Sequence, residues 1–176
     1  HAKWVFYNSD GSEAEMCGNA ARCAIRYLSE RYYPNDVPIC IETKAGVIKG
    51  QIKEDTRTIE VTVTSKSYER FDFEQKLLAT DKYSIEAFLI NTGVPHAVIE
   101  VKDLDTYPIL QVGKDLIRHP ALGESGANIT FFQRLVGQRI RSTTFERGVE
   151  TETLSCGTGA AAAAIIYSEQ FLQPLP

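Results

Sequence analysis

The 176-residue chain carries 19 lysines and arginines against 23 aspartates and glutamates, scattered rather than blocked, for a net charge of −4. That distribution excludes an electrostatic footprint for nucleic acid or for an anionic membrane surface. A hydrophobic fraction of 43% and a charged fraction of 24% describe an ordinary globular protein, long enough for one sizeable core or two small lobes.

In chain order, "AKWVFYN" (2–8) reads as a strand already under way, since the sequence opens on His1. A helix is expected from Cys17, where Ala20, Ala24 and Leu28, with Ala21 and Ile25, form an apolar stripe at spacing three to four. Strand-like stretches follow at 46–53 and at 58–65, where Ile59, Val61 and Val63 alternate with Glu60, Thr62 and Thr64. The polar stretch 65–83 is the expected boundary between two lobes, residues 1–67 and 68–176. Further strands are expected at 84–91, 96–101, 126–133 and 137–146, with a short helix at 111–119. A last helix begins near Cys156 and runs through the alanines. The apolar run "GAAAAAIIY" (159–167) is far shorter than the roughly 20 residues a membrane span requires. The class is therefore α+β, rich in antiparallel strand.

Four cysteines occur: Cys17, Cys23, Cys40 and Cys156. This is too sparse for a disulfide scaffold, and no CxxC is present, so reduced thiols in the cytoplasm and no metal site are expected. Two of the four share a context. "CGNAARCAIRYLSE" (17–30) and "CGTGAAAAAIIYSE" (156–169) align without a gap at Cys-Gly, two alanines and the closing Ser-Glu. Alanine-rich helices resemble one another by composition alone, so the paired Cys-Gly is the informative part. We read it as an internal repeat.

The first N–H groups of a helix lack intrahelical partners, and the helix dipole adds about half a positive charge there. A thiol at that point is expected to be acidified, and the same amides bind carboxylates. A following glycine lets the backbone approach a ligand closely. Either cysteine alone could equally be a small buried hydrophobe. If the repeats form facing lobes, two thiols would meet across one bound carboxylate. That arrangement suits removal of the adjacent carbon's proton on one face and its return on the other, inverting a stereocentre. The developing enediolate charge would need the helix amides as well. Cys23 lies more than one and a half turns beyond Cys17, on another face, and is expected in the core, as is Cys40 on its strand.

"YNSDGSEAEMCGNAARC", "NTGVPHAV", "GANITF" and "FERGVETETLSCGTGAAAA" occur in order from Asn8 to about Ser168. This succession resembles the diaminopimelate epimerase family, the pyridoxal-independent two-cysteine enzymes of lysine and peptidoglycan biosynthesis. The resemblance implies two pseudo-symmetric lobes of mostly antiparallel strands, each around a central helix, with the active site in the cleft. It implies Cys17 and Cys156 as the acid–base thiols, with Gly18, Asn19, Gly157 and Thr158 giving backbone N–H groups to the reacting carboxylate. Asn8, Asn128 and Arg147 would hold the substrate, Glu146 would take an ammonium group, and His96 would sit close to the thiols as acid–base support. On chemistry alone, Arg147 offers a fork for a carboxylate, yet Glu146-Arg147 also reads as a solvated pair, His96 as a structural histidine and Asn128 as a turn residue. No cofactor is implied. The expected partner is a small amino acid, and a homodimer is compatible with the sequence.

The chain departs from the family pattern at Val94, where many members carry Asn, and at Ala20, where Gly is common. The family's leading segment, with another substrate-binding Asn, and its closing strand are expected outside this sequence. Two other readings follow from these departures: a related two-thiol racemase with a different substrate, and an amino-acid-binding relative without turnover.

Overall fold

The computed structural model describes residues 2–8, 11–33, 37–53, 58–62 and 72–171. The chain forms two compact units, His1–Ser67 and Tyr68–Pro176. Each is α+β.

In the first unit a four-stranded sheet takes the order β1-β2-β3-β4, from Ala2–Lys3, Ile39–Thr43, Gly46–Ile52 and Ile59–Val61. β1 and β2 run parallel, and the other pairs are antiparallel. Helix α1, Gly18–Arg31, buries Ala21, Ile25 and Ser29, one residue per turn, and packs on the sheet. Ile39, Ile41, Ile48 and Ile52 meet Ala21 and Ile25 to form the core of this unit. Burial of an isoleucine such as Ile25 contributes about 1.5–3 kcal/mol. Gly50 in β3 is where the helix comes closest: a Cβ there would lie 2.7 Å from Ile25 Cγ1.

Neither bystander cysteine joins that core. Cys23 is exposed, and Cys40 is only partly buried. Cys23 is two residues from both Ala21 and Ile25, roughly 200° around the helix, and so points away from the sheet. Cys40 alternates with the buried Ile39 and Ile41 and takes the opposite face of β2.

The second unit holds a six-stranded sheet, order β10-β9-β8-β7-β6-β5. Its strands are β5 Phe73–Ala79, β6 Ser84–Asn91, β7 Pro95–Glu100, β8 Asn128–Leu135, β9 Arg139–Glu146 and β10 Thr151–Thr153. β7 and β8 are parallel, joined through helix α2, Ile109–Leu116; every other pair is antiparallel. The polar stretch 65–83 is thus not all connection, because its second half is the edge strand β5, paired along its length with β6. Residues 63–71, including the end of the expected strand 58–65, lie outside the described residues.

Both faces of this sheet are covered. Ala87, Ala97, Ile99, Ile129, Phe131 and Phe145 face α2 through Ile109, Val112 and Leu116. Phe88, Ile90, Val98 and Phe132 face α3, Gly157–Phe171, through Ala162, Ala163 and Ile166. Period-two alternation then fixes the rest of the α3 face: His96 lies in line with Val98, Thr130 with Phe132, and Thr144 and Glu146 opposite in parity to Phe145. That face is apolar beneath the body of α3 and polar beneath its N-terminus. Among the described residues no helix is long and apolar enough to cross a membrane.

Candidate active site

Both repeated cysteines stand immediately before a helix. The Cys17 carbonyl accepts the first α1 bond from Ala21 N at 2.9 Å, and the Cys156 carbonyl accepts the first α3 bond from Ala160 N at 2.9 Å. Cys17 has extended backbone dihedrals (φ −139°, ψ 114°), and its side chain makes no capping bond to the helix. The amides of residues 18–20 and 157–159 precede those first intrahelical bonds, and such groups are ready donors to an anion. Gly157 and Asn19 are exposed, Gly18 is half-buried, and Thr158 is buried.

Around Cys156 the second unit builds a connected polar site. Cys156 Sγ lies 3.5 Å from Thr158 Oγ1. Thr158 Oγ1 lies 3.0 Å from His96 Nε2, and His96 Nδ1 lies 2.9 Å from Thr130 Oγ1. Thr130 Oγ1 in turn lies 3.1 Å from Thr144 Oγ1, its cross-strand partner in the β8–β9 register. Thr92, just past β6, donates through Oγ1 to the Thr158 carbonyl at 2.9 Å. The side chains of Thr92, His96, Thr130, Thr144 and Thr158 are all buried. Gly159 closes the roof of this cluster: a Cβ there would fall 2.3 Å from Thr144 Oγ1, 3.0 Å from Thr130 Oγ1 and 3.3 Å from Cys156 Sγ.

The electrostatics depart from the acidified thiol expected at a helix start. Burial pushes the Cys156 thiol above its ordinary value, and the Glu146 carboxylate adds to that; the Thr158 hydroxyl and the Gly159 amide pull the other way without prevailing. Removing solvent from a thiolate outweighs the helix terminus here. Cys156 therefore rests as a thiol. Burial, reinforced by the Arg147 charge, drops His96 to about 3. His96 is accordingly a neutral imidazole at physiological pH, and it reaches the sulfur through Thr158 rather than directly.

The remaining expected residues fall in two places. Asn128, Glu146 and Arg147 join the Cys156 site: Asn128 Oδ1 accepts from Arg147 N at 2.9 Å, and Glu146 Oε1 accepts from Thr153 Oγ1 at 2.6 Å. The Arg147 Nη1 donates to the carbonyls of Ser125 (2.9 Å) and Gly126 (3.3 Å), which anchors its guanidinium beside the start of β8. Asn8 belongs to the first unit, in a turn closed by its own Nδ2 to Ser12 Oγ at 3.0 Å and by its N–H to the Ser12 carbonyl at 2.8 Å. Sequence reasoning missed Thr92, Thr130 and Thr144. The signal for Thr130 was a polar residue amid "NITFF", a strand buried along most of its length.

The family model for diaminopimelate epimerase matches residues 1–69 and 88–173. The chain belongs to this family. It is 43% identical to the diaminopimelate epimerase of Aquifex aeolicus (strain VF5), across 93% of this chain and 57% of that one. It is 38% identical to the diaminopimelate epimerase of Chlamydia trachomatis serovar L2, across 97% of this chain and 60% of the relative. The chain thus spans somewhat under two thirds of the length of these curated relatives. The fold is also that of a probable proline racemase from Agrobacterium radiobacter K84 (TM-score 0.71, 17% identity, 98% of this chain and 57% of that one). A hydroxyproline epimerase from Agrobacterium vitis gives the same TM-score of 0.71 at 17% identity, over 97% of this chain and 56% of its own.

Proposed function

We propose that the protein epimerises LL-diaminopimelate to meso-diaminopimelate without a cofactor, Cys17 and Cys156 exchanging a proton with the α-carbon from opposite faces. The reading rests on membership of the family together with one observation: a half-buried cysteine at the start of α3, ringed by Thr158, Glu146 and the amide of Gly159. Cys156 enters as the thiol and Cys17 as the base. The Cys17 thiolate takes the α-proton, the electron pair passes into the carboxylate as an enediolate, and the Cys156 S–H returns a proton to the other face. For the reverse reaction the roles exchange.

The first-turn amides at 18–19 and 157–158 would hold the reacting carboxylate and stabilise its added charge, because they cost no reorganisation when the charge develops. Arg147, Asn128 and Asn8 would hold the substrate, including its distant amino-acid end, and Glu146 would take an ammonium group. Reduced thiols fit a cytoplasmic setting, and the partner is a small amino acid.

Val94, where many family members carry Asn, leaves a second reading open, a two-thiol racemase of another amino acid. The test is direct. The intact protein, with no pyridoxal phosphate or metal added, should convert LL-diaminopimelate into the meso isomer. Racemisation of proline or another amino acid, with none on diaminopimelate, would select the second reading.

A further inference from the structure

We propose that Thr144 and Thr130, acting through His96 and Thr158, form a one-directional hydrogen-bond relay that ends on the Cys156 sulfur and steadies it as a thiolate. The proposal deepens the reading above, since it gives a reason why Cys156 can lose and regain a proton.

The direction follows from what each group can do. A thiolate only accepts, so when Cys156 is ionised the Thr158 hydroxyl must donate to it across the observed 3.5 Å. That hydroxyl's oxygen then accepts, and its partner at 3.0 Å is His96 Nε2, which must carry the imidazole proton. A neutral imidazole has one N–H, so Nδ1 is a bare acceptor, and the group at 2.9 Å from it, Thr130, must donate. Thr130 Oγ1 is left accepting, and Thr144 at 3.1 Å supplies the donor. One ionised sulfur thus sets four successive hydrogen bonds. A doubly protonated imidazole would break the sequence at Thr130, and burial beside Arg147 prevents that form.

The surroundings leave these groups little alternative. From β6 the side chains facing α3 are Phe88 and Ile90, followed by Thr92, which is occupied by the Thr158 carbonyl. From β8 they are Asn128, engaged with Arg147, Thr130 and the apolar Phe132. Among the described residues, the titratable and charged groups about the sulfur are His96 from β7, Glu146 at the end of β9 and Arg147 beside it. Glu146 opposes ionisation, so the donors along the relay act against a fixed adverse charge. Bonds in such a chain polarise one another, and in a dry site each is worth more than in water.

Thr130 and Thr144 are positioning residues, since neither touches the sulfur. The test replaces Thr130 with Val, which keeps shape and removes the hydroxyl, and with Ser, which keeps the hydroxyl. Cys156 alkylation by iodoacetamide is followed against pH, resolved at its own peptide by mass spectrometry, so the readout does not depend on any substrate. Thr130→Val should slow Cys156 alkylation at neutral pH and lower kcat roughly two- to tenfold, with KM little changed. Thr130→Ser should restore both. Nitrogen NMR of the His96 ring should show the Nε2–H tautomer above the thiol's titration. If Thr130→Val fails to fold, the tautomer of the wild-type protein decides. An Nδ1–H imidazole beside ionised Cys156, or a folded Thr130→Val with unchanged thiol titration, would overturn the relay. A protein inactive on diaminopimelate whose Cys156 titration still shifts in Thr130→Val would sink the functional reading and leave the relay standing.

Discussion

His96 Nε2 lies 3.0 Å from Thr158 Oγ1, deep under the start of α3, and both side chains are buried. The contact makes the histidine part of the packing as much as of the chemistry. Its folded-state pKa of about 3 against an ordinary 6.5 has a consequence for stability. Below pH 6.5 the unfolded chain binds a proton that the folded chain refuses. The stabilisation is complete above that pH and is lost as pH falls toward 3, about 5 kcal/mol in all. Urea midpoints followed by circular dichroism at pH 7 and pH 4.5 should fall apart for the wild type. In His96→Gln the gap should narrow; an equally steep fall would show that His96 does not carry it.

Glu146 raises the Cys156 thiol both through its charge and through a hydrogen bond. Glu146→Gln should therefore speed alkylation of Cys156 by iodoacetamide near neutral pH. The exposed Cys23 serves as an internal standard and should not change. In the wild type Cys156 should react more slowly than Cys23. A faster Cys156 would contradict the dominance of burial over the helix terminus.

Gly159 has no room for a methyl group, since its Cβ would sit 2.3 Å from Thr144 Oγ1. Gly159→Ala should destabilise the second unit by about 1–3 kcal/mol through overpacking, even though alanine favours helix by up to about 1 kcal/mol. Displacement of the α3 start should also cost on the order of tenfold to a hundredfold in kcat. Thermal unfolding and initial rates check the two effects separately.

Asn128 Oδ1 is the acceptor for the Arg147 backbone N–H at 2.9 Å. Asn128→Ala strands that donor, at a cost of about 1–3 kcal/mol. Because Arg147 is the proposed substrate fork, KM for diaminopimelate should rise more than kcat falls. A variant with unchanged KM would separate Asn128 from substrate binding.

Much of this was legible in residue order, for identifiable reasons. Strand β4 showed because Ile59 and Val61 alternate with Glu60. Helices α1 and α3 showed because Cys-Gly recurs at the start of each. Cys23 was misplaced because cysteine is usually buried, whereas its angle from Ala21 and Ile25 turns it outward. The β5 strand hid in a polar stretch because an edge strand needs little apolar surface. The helix dipole at Cys156 can be foreseen from sequence, but the burial that overrides it depends on the sheet below. The Thr130–Thr144 pair was invisible for the same reason, being created by the β8–β9 register.

The central claim is a two-thiol exchange, and isotope content tests it most directly. In deuterated water the wild type should place solvent deuterium at the α-carbon of newly formed meso-diaminopimelate, while LL substrate recovered early stays unlabelled. Cys17→Ala and Cys156→Ala should each abolish epimerisation. Return of the substrate's own proton to the product, or full epimerisation by either variant, would contradict the account.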